Sequence, residues 1–164
     1  MSIKTWQEME AEIDKFLSER QRKSTTMFHR FYDTRSAGNY LPGQPADFLI
    51  INNGRTYFLE AKFSEVHESL KNCFSGAVQP TQTASARLAV RAGAAYYFIF
   101  YSKMIDQFEL WEGNYCFEKR SRGERLELPQ RRIFKSLNDA ILGGLFSGTG
   151  THLHRPTPRT EAKS

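Results

Sequence analysis

An Asn-Gly pair, Asn53-Gly54, separates two largely apolar runs at residues 47–51 and 55–62. Asn-Gly between such runs is the strongest short-range signal for a β-hairpin with a two-residue type I′ turn. Because the turn type and loop length fix how the two strands pair, the hairpin can adopt only one register. The sequence therefore predicts which side chains of the two strands lie opposite each other.

Three charged side chains meet in the predicted register. Counting outward from the turn, Asp47 faces Glu60, and opposed residues of an antiparallel pair have Cβ atoms about 4.5–5.5 Å apart. Lys62 lies two residues beyond Glu60, and therefore on the same face of its strand. Opposed like charges are destabilising, and a divalent cation would relieve that repulsion. We interpret Asp47, Glu60 and Lys62 as a candidate catalytic site.

These residue types suit the hydrolysis of a phosphodiester. Mg²⁺ prefers hard oxygen ligands and keeps several of its waters, so two carboxylates would hold it and leave positions for water and a phosphate oxygen. Mg²⁺ is the predicted cofactor, bound by Asp47 and Glu60, with Mn²⁺ as its substitute. Lys62 would orient or deprotonate the attacking water, or stabilise the negative charge that develops on phosphate. The alternative, a solvent-exposed Glu60–Lys62 pair, fits poorly because their face also carries Leu49 and Phe58.

The rest of the chain predicts an α/β fold with a mixed sheet. Both faces of the hairpin are apolar, which indicates a sheet covered by helices on both sides. The predicted helices span 3–19, 82–91 and 132–145, and the further strands 27–32, 94–101, 107–112 and 115–118. In the helix over 82–91 we expect Ala84, Leu88 and Ala89 to face the sheet. We predict one domain over residues 1–146, with its catalytic core at about 27–112, and a disordered basic tail over 147–164.

Charge and hydropathy restrict the partners of the chain. The net charge is +5 over 164 residues, and basic residues cluster near residues 20–35 and 119–135. Such clusters are expected on a protein that binds a polyanion, although an ordinary solvated surface is the alternative. No apolar run reaches the roughly 18 residues of a membrane span, and the N-terminus lacks the apolar segment of a secretory signal. We therefore expect a cytoplasmic protein with no membrane partner.

Asp47 in Pro45-Ala46-Asp47, followed by Glu60-Ala61-Lys62, is the pattern of the PD-(D/E)xK nucleases. The stretch from Pro45 to Ser102 resembles the RecU-type Holliday-junction resolvases of that superfamily. The resemblance rests on the strand–turn–strand and on the Gln-Pro-Thr-Gln segment over 79–82, which opens a helix and is followed by a glycine and the apolar strand AAYYFIFY. It implies a restriction-endonuclease-like fold, a mixed β-sheet core flanked by helices.

The resemblance also implies further metal-site residues. Gln82 corresponds to the metal-associated glutamine of the family, with Gln79 as the alternative. In related resolvases a glutamate of the first helix completes the metal shell, and Glu8 or Glu12 could take that part here.

DNA contacts are likewise implied by the resemblance. RecU-type proteins place a projecting stalk between the first strand and the hairpin, where this chain has the shorter segment 33–46. Arg30 and Arg35 are the DNA-binding candidates beside it. Arg22 and Lys23, in the first basic cluster, are further candidates.

The predicted function is that of a Mg²⁺-dependent endonuclease that resolves four-way (Holliday) DNA junctions. It would make paired symmetric nicks in branched double-stranded DNA and leave ligatable 5′-phosphate ends. Two symmetric cuts require two related sites, so a C2 homodimer is expected. One alternative is a restriction-type or repair endonuclease of the same superfamily, acting on duplex or flap DNA. Another is a non-catalytic DNA-binding protein built on the same scaffold.

Overall fold

The computed structural model describes residues 3–31 and 44–147. Within them, six strands, β1 to β6, span Thr26–Arg30, Phe48–Asn52, Arg55–Ser64, Ala95–Ser102, Gln107–Glu112 and Arg132–Phe134. The helices of the same residues are α1 to α4, at Trp6–Lys23, Phe74–Ala77, Pro80–Arg91 and Gly113–Ser121, and a π-helix at Asp139–Phe146, with 3₁₀ turns at Leu70–Asn72 and Leu128–Gln130. Most of the predicted arm, Arg35 included, and the predicted tail from residue 148 lie outside the described residues.

The strands form one mixed sheet in the order β1-β2-β3-β4-β5-β6. β3 and β4 are parallel, and every other neighbouring pair in the sheet is antiparallel. The parallel pair needs a crossover connection, and α2 and α3 lie within it. The predicted α/β class with a mixed sheet flanked by helices is confirmed.

The hairpin between β2 and β3 has the predicted turn and register. Asn53 and Gly54 both have positive φ angles, 49° and 75°, as a type I′ turn requires of its two central residues. Asn52 pairs with Arg55, and the pairing continues to the start of β2. This short-range signal in the sequence was sufficient because the turn alone determines the register.

Both faces of the sheet are buried. On one face, α1 and the π-helix cover an apolar cluster that includes Ile50 and Leu59 of the hairpin. On the other face, the helices α2 to α4 cover a second cluster that includes Phe98 and Trp111. α1 begins at the N-cap Thr5, whose hydroxyl accepts a hydrogen bond from the Glu8 N–H at 3.2 Å. The helix ends four residues later than predicted.

Three elements differ from the prediction because contacts distant in sequence shape them. Residues 115–118, predicted as a strand, lie in α4, since a short apolar run fits either structure. Residues 132–145, predicted as one helix, divide between β6, which pairs with the edge of β5, and the π-helix. In α3 the buried side chains are Thr83 and Ala86, whereas Leu88 is 65% exposed. Small side chains therefore face the sheet there, which the apolar pattern did not indicate.

No helix within residues 3–31 and 44–147 is long and apolar enough to span a membrane.

Candidate active site

The candidate site lies where β3 extends beyond its neighbour β2. β2 pairs with only the first half of β3, and the last pair of residues is Phe48 and Leu59. Asp47 directly precedes β2 and, by continuation of that register, lies opposite Glu60. The second half of β3, which carries Glu60 and Lys62, pairs with β4 on its other side. The structure thus brings Asp47, Glu60 and Lys62 together at an open edge of the sheet.

A cavity of about 270 Å³ opens at this edge. Its lining residues come from the first turns of α1 and from the hairpin, namely Trp6, Met9, Glu10, Asp47, Glu60, Ala61, Lys62 and Phe63. A larger cavity of about 390 Å³ lies between α1 and the segment before the π-helix, and it contains none of the predicted catalytic residues. The smaller cavity is therefore the candidate active site, because Asp47, Glu60 and Lys62 line it.

Glu60 is the most buried of the three charged residues, at 2% exposure. Its Oε1 lies 2.6 Å from the Lys62 Nζ, while its Oε2 is buried and has no hydrogen-bond partner. A buried carboxylate oxygen without a partner costs about 1–3 kcal/mol or more. Only one of the two carboxylate oxygens of Glu60 therefore has a partner, and the second could bind a donor or a cation.

Asp47 is held by the backbone of β3. Its Oδ2 accepts a hydrogen bond from the Ala61 N–H at 2.7 Å. Burial first, and then the negative charge of Glu60, raise the pKa of Asp47 to about 8. The Ala61 N–H and the Lys62 ammonium lower this pKa by less than those two effects raise it. The site thus disfavours two ionised carboxylates unless additional positive charge is present.

Glu10 of α1 also lines the cavity, and the sequence pattern had not indicated this residue. The two glutamates expected at the site, Glu8 and Glu12, lie elsewhere. The Glu8 Oε2 accepts a hydrogen bond from the Lys4 N–H at 2.7 Å, and Glu12 lines the larger cavity. The structure therefore does not place Glu8 or Glu12 in the cavity of Asp47 and Glu60. Glu10 lies one turn after Trp6, at the border of the apolar stripe of α1, but helical spacing alone does not single it out from the other acids of this helix.

Glu10 is fixed by Arg30 at the end of β1. The Arg30 guanidinium lies 2.6 Å from the Glu10 Oε2 and 5.8 Å from the centre of the Phe48 ring. Burial raises the pKa of Glu10, and Arg30 acts in the opposite direction. Arg30, predicted to contact DNA, thus lies beside the cavity and engages an acid there.

The remaining predicted DNA-binding residues are at the end of α1 or outside the described chain. Arg22 and Lys23 lie in the last turn of α1, where the Arg22 Nε donates to the Ser18 carbonyl at 3.4 Å. Arg35 falls outside the described residues. The DNA-binding role of all these residues stays a prediction.

Neither predicted glutamine lines the cavity. Gln79 is the N-cap residue of α3 and is exposed, and Gln82 is half-buried in the first turn of that helix. Their metal-site role, which the resemblance implied, also stays a prediction.

The donor set fits a hard divalent cation, although it is small. In residues 3–31 and 44–147, no three acidic, histidine or cysteine side chains are spaced to share one metal ion. Asp47 and Glu60 nevertheless supply two carboxylates, one with a pKa raised to about 8 and the other with an unpartnered buried oxygen. Both features are energetic costs that a bound cation would remove. Mg²⁺ accepts such a partial protein shell because it keeps several waters.

A scan of the chain against models of known protein families gives no match, and a search of curated proteins gives none.

Proposed function

We propose that this protein is a metal-dependent endonuclease that cleaves phosphodiester bonds in DNA, and that it acts as a Holliday-junction resolvase of the RecU type. One observation carries the proposal: Asp47 and Glu60 are opposed across the hairpin with Lys62 in an ion pair beside them, at an open edge of the sheet. The net charge of +5 agrees with a polyanionic substrate.

Each residue has a distinct part in this proposal. Asp47 and Glu60 would hold Mg²⁺, or Mn²⁺ as its substitute, through the Glu60 Oε2 and the Asp47 carboxylate. The cation would lower the pKa of bound water and neutralise charge on the phosphate. The Lys62 ammonium has three donors, of which one goes to Glu60, so others can orient the attacking water or a phosphate oxygen. The β3 backbone fixes the position of the Asp47 carboxylate through the Ala61 N–H.

The reaction is a hydrolysis. The oxygen of water forms a bond to phosphorus, the bond from phosphorus to the 3′ oxygen breaks, and a proton passes to that oxygen. The products are a 5′-phosphate and a 3′-hydroxyl, which a ligase can rejoin. Resolution of a four-way junction needs two such cuts related by symmetry, so the proposal includes a C2 homodimer.

Glu10 extends the acidic site toward α1. It lies on the cavity wall, and its ion pair with Arg30 holds it there in the metal-free protein. In this position it could bind a water of the metal shell. Arg30 would then keep Glu10 in place and add positive charge near the DNA backbone.

Cleavage of defined DNA substrates tests the proposal. The protein is incubated with a labelled four-way junction, a flap and a matched linear duplex, in Mg²⁺ or in EDTA. The Asp47→Asn variant is compared with Asp14→Asn, the same chemical change on α1 at a residue that does not line the cavity. We expect paired symmetric nicks in the junction that are lost in EDTA and in Asp47→Asn but kept in Asp14→Asn.

Other outcomes distinguish the alternatives. Equal cutting of all three substrates would replace the resolvase by a general endonuclease with the same site. Binding of the junction without any cutting in Mg²⁺ or Mn²⁺ would contradict the catalytic role and favour a DNA-binding protein on this scaffold.

A further inference from the structure

An exposed tryptophan forms one wall of the candidate active-site cavity. Trp6, the first residue of α1, lines the same cavity as Asp47, Glu60 and Lys62. The residue is 53% exposed, and the other large apolar residues exposed to this degree in the described part of the chain are not aromatic. An exposed aromatic ring is therefore a specific feature of this cavity, within the part of the chain that the structure describes.

This ring is not part of the buried core. The buried stripe of α1 consists of Met9, Ile13 and Leu17, all at 0% exposure, and Trp6 lies outside it. Trp111 shows how this protein buries an indole, since it is fully buried and donates its N–H to Glu109 at 2.8 Å. Trp6 instead presents its ring to solvent beside the candidate catalytic residues.

We propose that Trp6 stacks on an unstacked base next to the phosphodiester that is cut, so that the preferred substrate is DNA with unstacked bases at the cleavage site. This inference rests on the proposed nuclease function and specifies its substrate class. Stacking between a base and an aromatic side chain tolerates any sequence, because every base has a π face. In a continuous duplex both faces of each internal base are covered by its neighbours. Only an unstacked base, such as one at a branch point or flap, offers a face to Trp6.

The position of Trp6 fits a single nucleotide at the site. The cavity of about 270 Å³ is lined both by the Trp6 side of α1 and by the two carboxylates, Asp47 before β2 and Glu60 on β3. It is smaller than most pockets that enclose drug-sized ligands, which measure about 300–1,000 Å³. One nucleotide could occupy this space, with its phosphate beside the carboxylates and its base against the indole.

Two variants separate the ring from its apolar bulk. Trp6→Phe keeps an aromatic face, and Trp6→Leu keeps an apolar side chain without one. Because Trp6 is about half exposed, both should fold, which circular dichroism and thermal unfolding can verify. Leu88→Ala is the matched control, since Leu88 is 65% exposed on α3 and does not line the cavity.

Cleavage and fluorescence are then measured together. The substrates are a four-way junction, a flap and a linear duplex. We expect Trp6→Leu to lower kcat/KM about tenfold on the flap and junction, with Trp6→Phe and Leu88→Ala close to wild type. Fluorescence is measured in Asp47→Asn with Mg²⁺, which should bind the DNA without cutting it. The tryptophan fluorescence of exposed Trp6 should be quenched when the branched DNA binds, whereas buried Trp111 should contribute a constant background.

The two ways in which the inference can fail are distinguishable. If the wild type cuts DNA but Trp6→Leu cuts equally well, or if no fluorescence change accompanies binding, the stacking role is overturned while the nuclease stands. If the wild type cuts no DNA in Mg²⁺ or Mn²⁺, the proposed function falls and this inference falls with it.

Discussion

Asp47→Asn should stabilise the metal-free protein, and the gain should increase with pH. Burial and the charge of Glu60 raise the pKa of Asp47 from 3.8 to about 8. A carboxyl whose pKa is higher in the folded state binds its proton more tightly there, so stability is lost as pH rises from about 4 to about 8. Asparagine imitates the protonated acid at every pH and does not incur this loss.

The size of the effect follows from the difference between the two pKa values. A tenfold difference in proton affinity corresponds to about 1.4 kcal/mol, so the interval from about pH 5 to about pH 8 has an upper limit of about 4 kcal/mol. Relaxation and water entry reduce such penalties in real proteins. We therefore expect the stability difference between Asp47→Asn and wild type to grow by about 2 kcal/mol over this interval. For a chain of this size that equals about 4–8 °C in Tm.

The local geometry permits the substitution. The asparagine carbonyl can accept the Ala61 N–H in place of the Asp47 Oδ2, and the new amide can donate to Glu60. Asp14→Asn serves as the control for removal of one negative charge. Urea unfolding in EDTA is measured at both pH values. If Asp47→Asn is more stable than the wild type by the same amount at both pH values, or is less stable than the wild type at the higher pH, burial and Glu60 do not destabilise the ionised form of Asp47 as argued.

The same pair of proteins tests the metal site without an activity assay. At about pH 8, Mg²⁺ should raise the Tm of the wild type, because binding to the folded state alone stabilises by about 2.7 kcal/mol at a concentration 100 times Kd. Asp47→Asn should respond much less. Equal responses of the two proteins would contradict the assignment of Asp47 as a metal ligand.

Three further predictions concern residues that the fold places precisely enough to test. Glu10→Gln should weaken the Mg²⁺-dependent rise in Tm, whereas Glu12→Gln, in the other cavity, should not; equal effects of the two would argue against Glu10 as part of the site. Arg131→Ala leaves Glu109, which is 1% exposed, without its ion-pair partner, and urea unfolding should show a loss of about 3–5 kcal/mol in the free energy of unfolding. A loss under about 1 kcal/mol, roughly the value of a surface ion pair, would contradict this. Gly113→Ala puts a Cβ 2.8 Å from a backbone oxygen of β4 and should cost about 1–3 kcal/mol in thermal unfolding, and an unchanged Tm would show that α4 can shift at no cost.

The hairpin illustrates how far a local signal reaches. Asn53 and Gly54 adopt the left-handed conformations that the turn requires, and the register follows from them without reference to the rest of the chain. The convergence of Asp47, Glu60 and Lys62 was therefore predictable, since it depends only on residue counting and on the alternation of side chains along a strand. The apolar character of both hairpin faces was likewise sufficient to predict a sheet covered on both sides.

Other features depend on contacts between residues distant in sequence. α4 begins where Gly113 packs against β4, and no pattern within residues 115–118 could indicate that contact. Glu109 is an acid within β5, and it is buried because Ser69, Trp111 and Arg131 bring donors to it. Local sequence does not contain such partners, so burial of this residue could not be predicted from it.

Turn chemistry and strand periodicity act over a few residues, and they were enough to specify the hairpin, its register and the three charged residues at its open end. The choice of the helical acid that joins them depends instead on how α1 packs. α1 carries several acids, and the angle at which its apolar stripe lies on the sheet turns Glu10 toward the cavity of Asp47 and Glu60, while Glu12 faces a different cavity. That angle is fixed by the burial of Met9, Ile13 and Leu17 against the sheet, a long-range packing that the helix cannot specify alone.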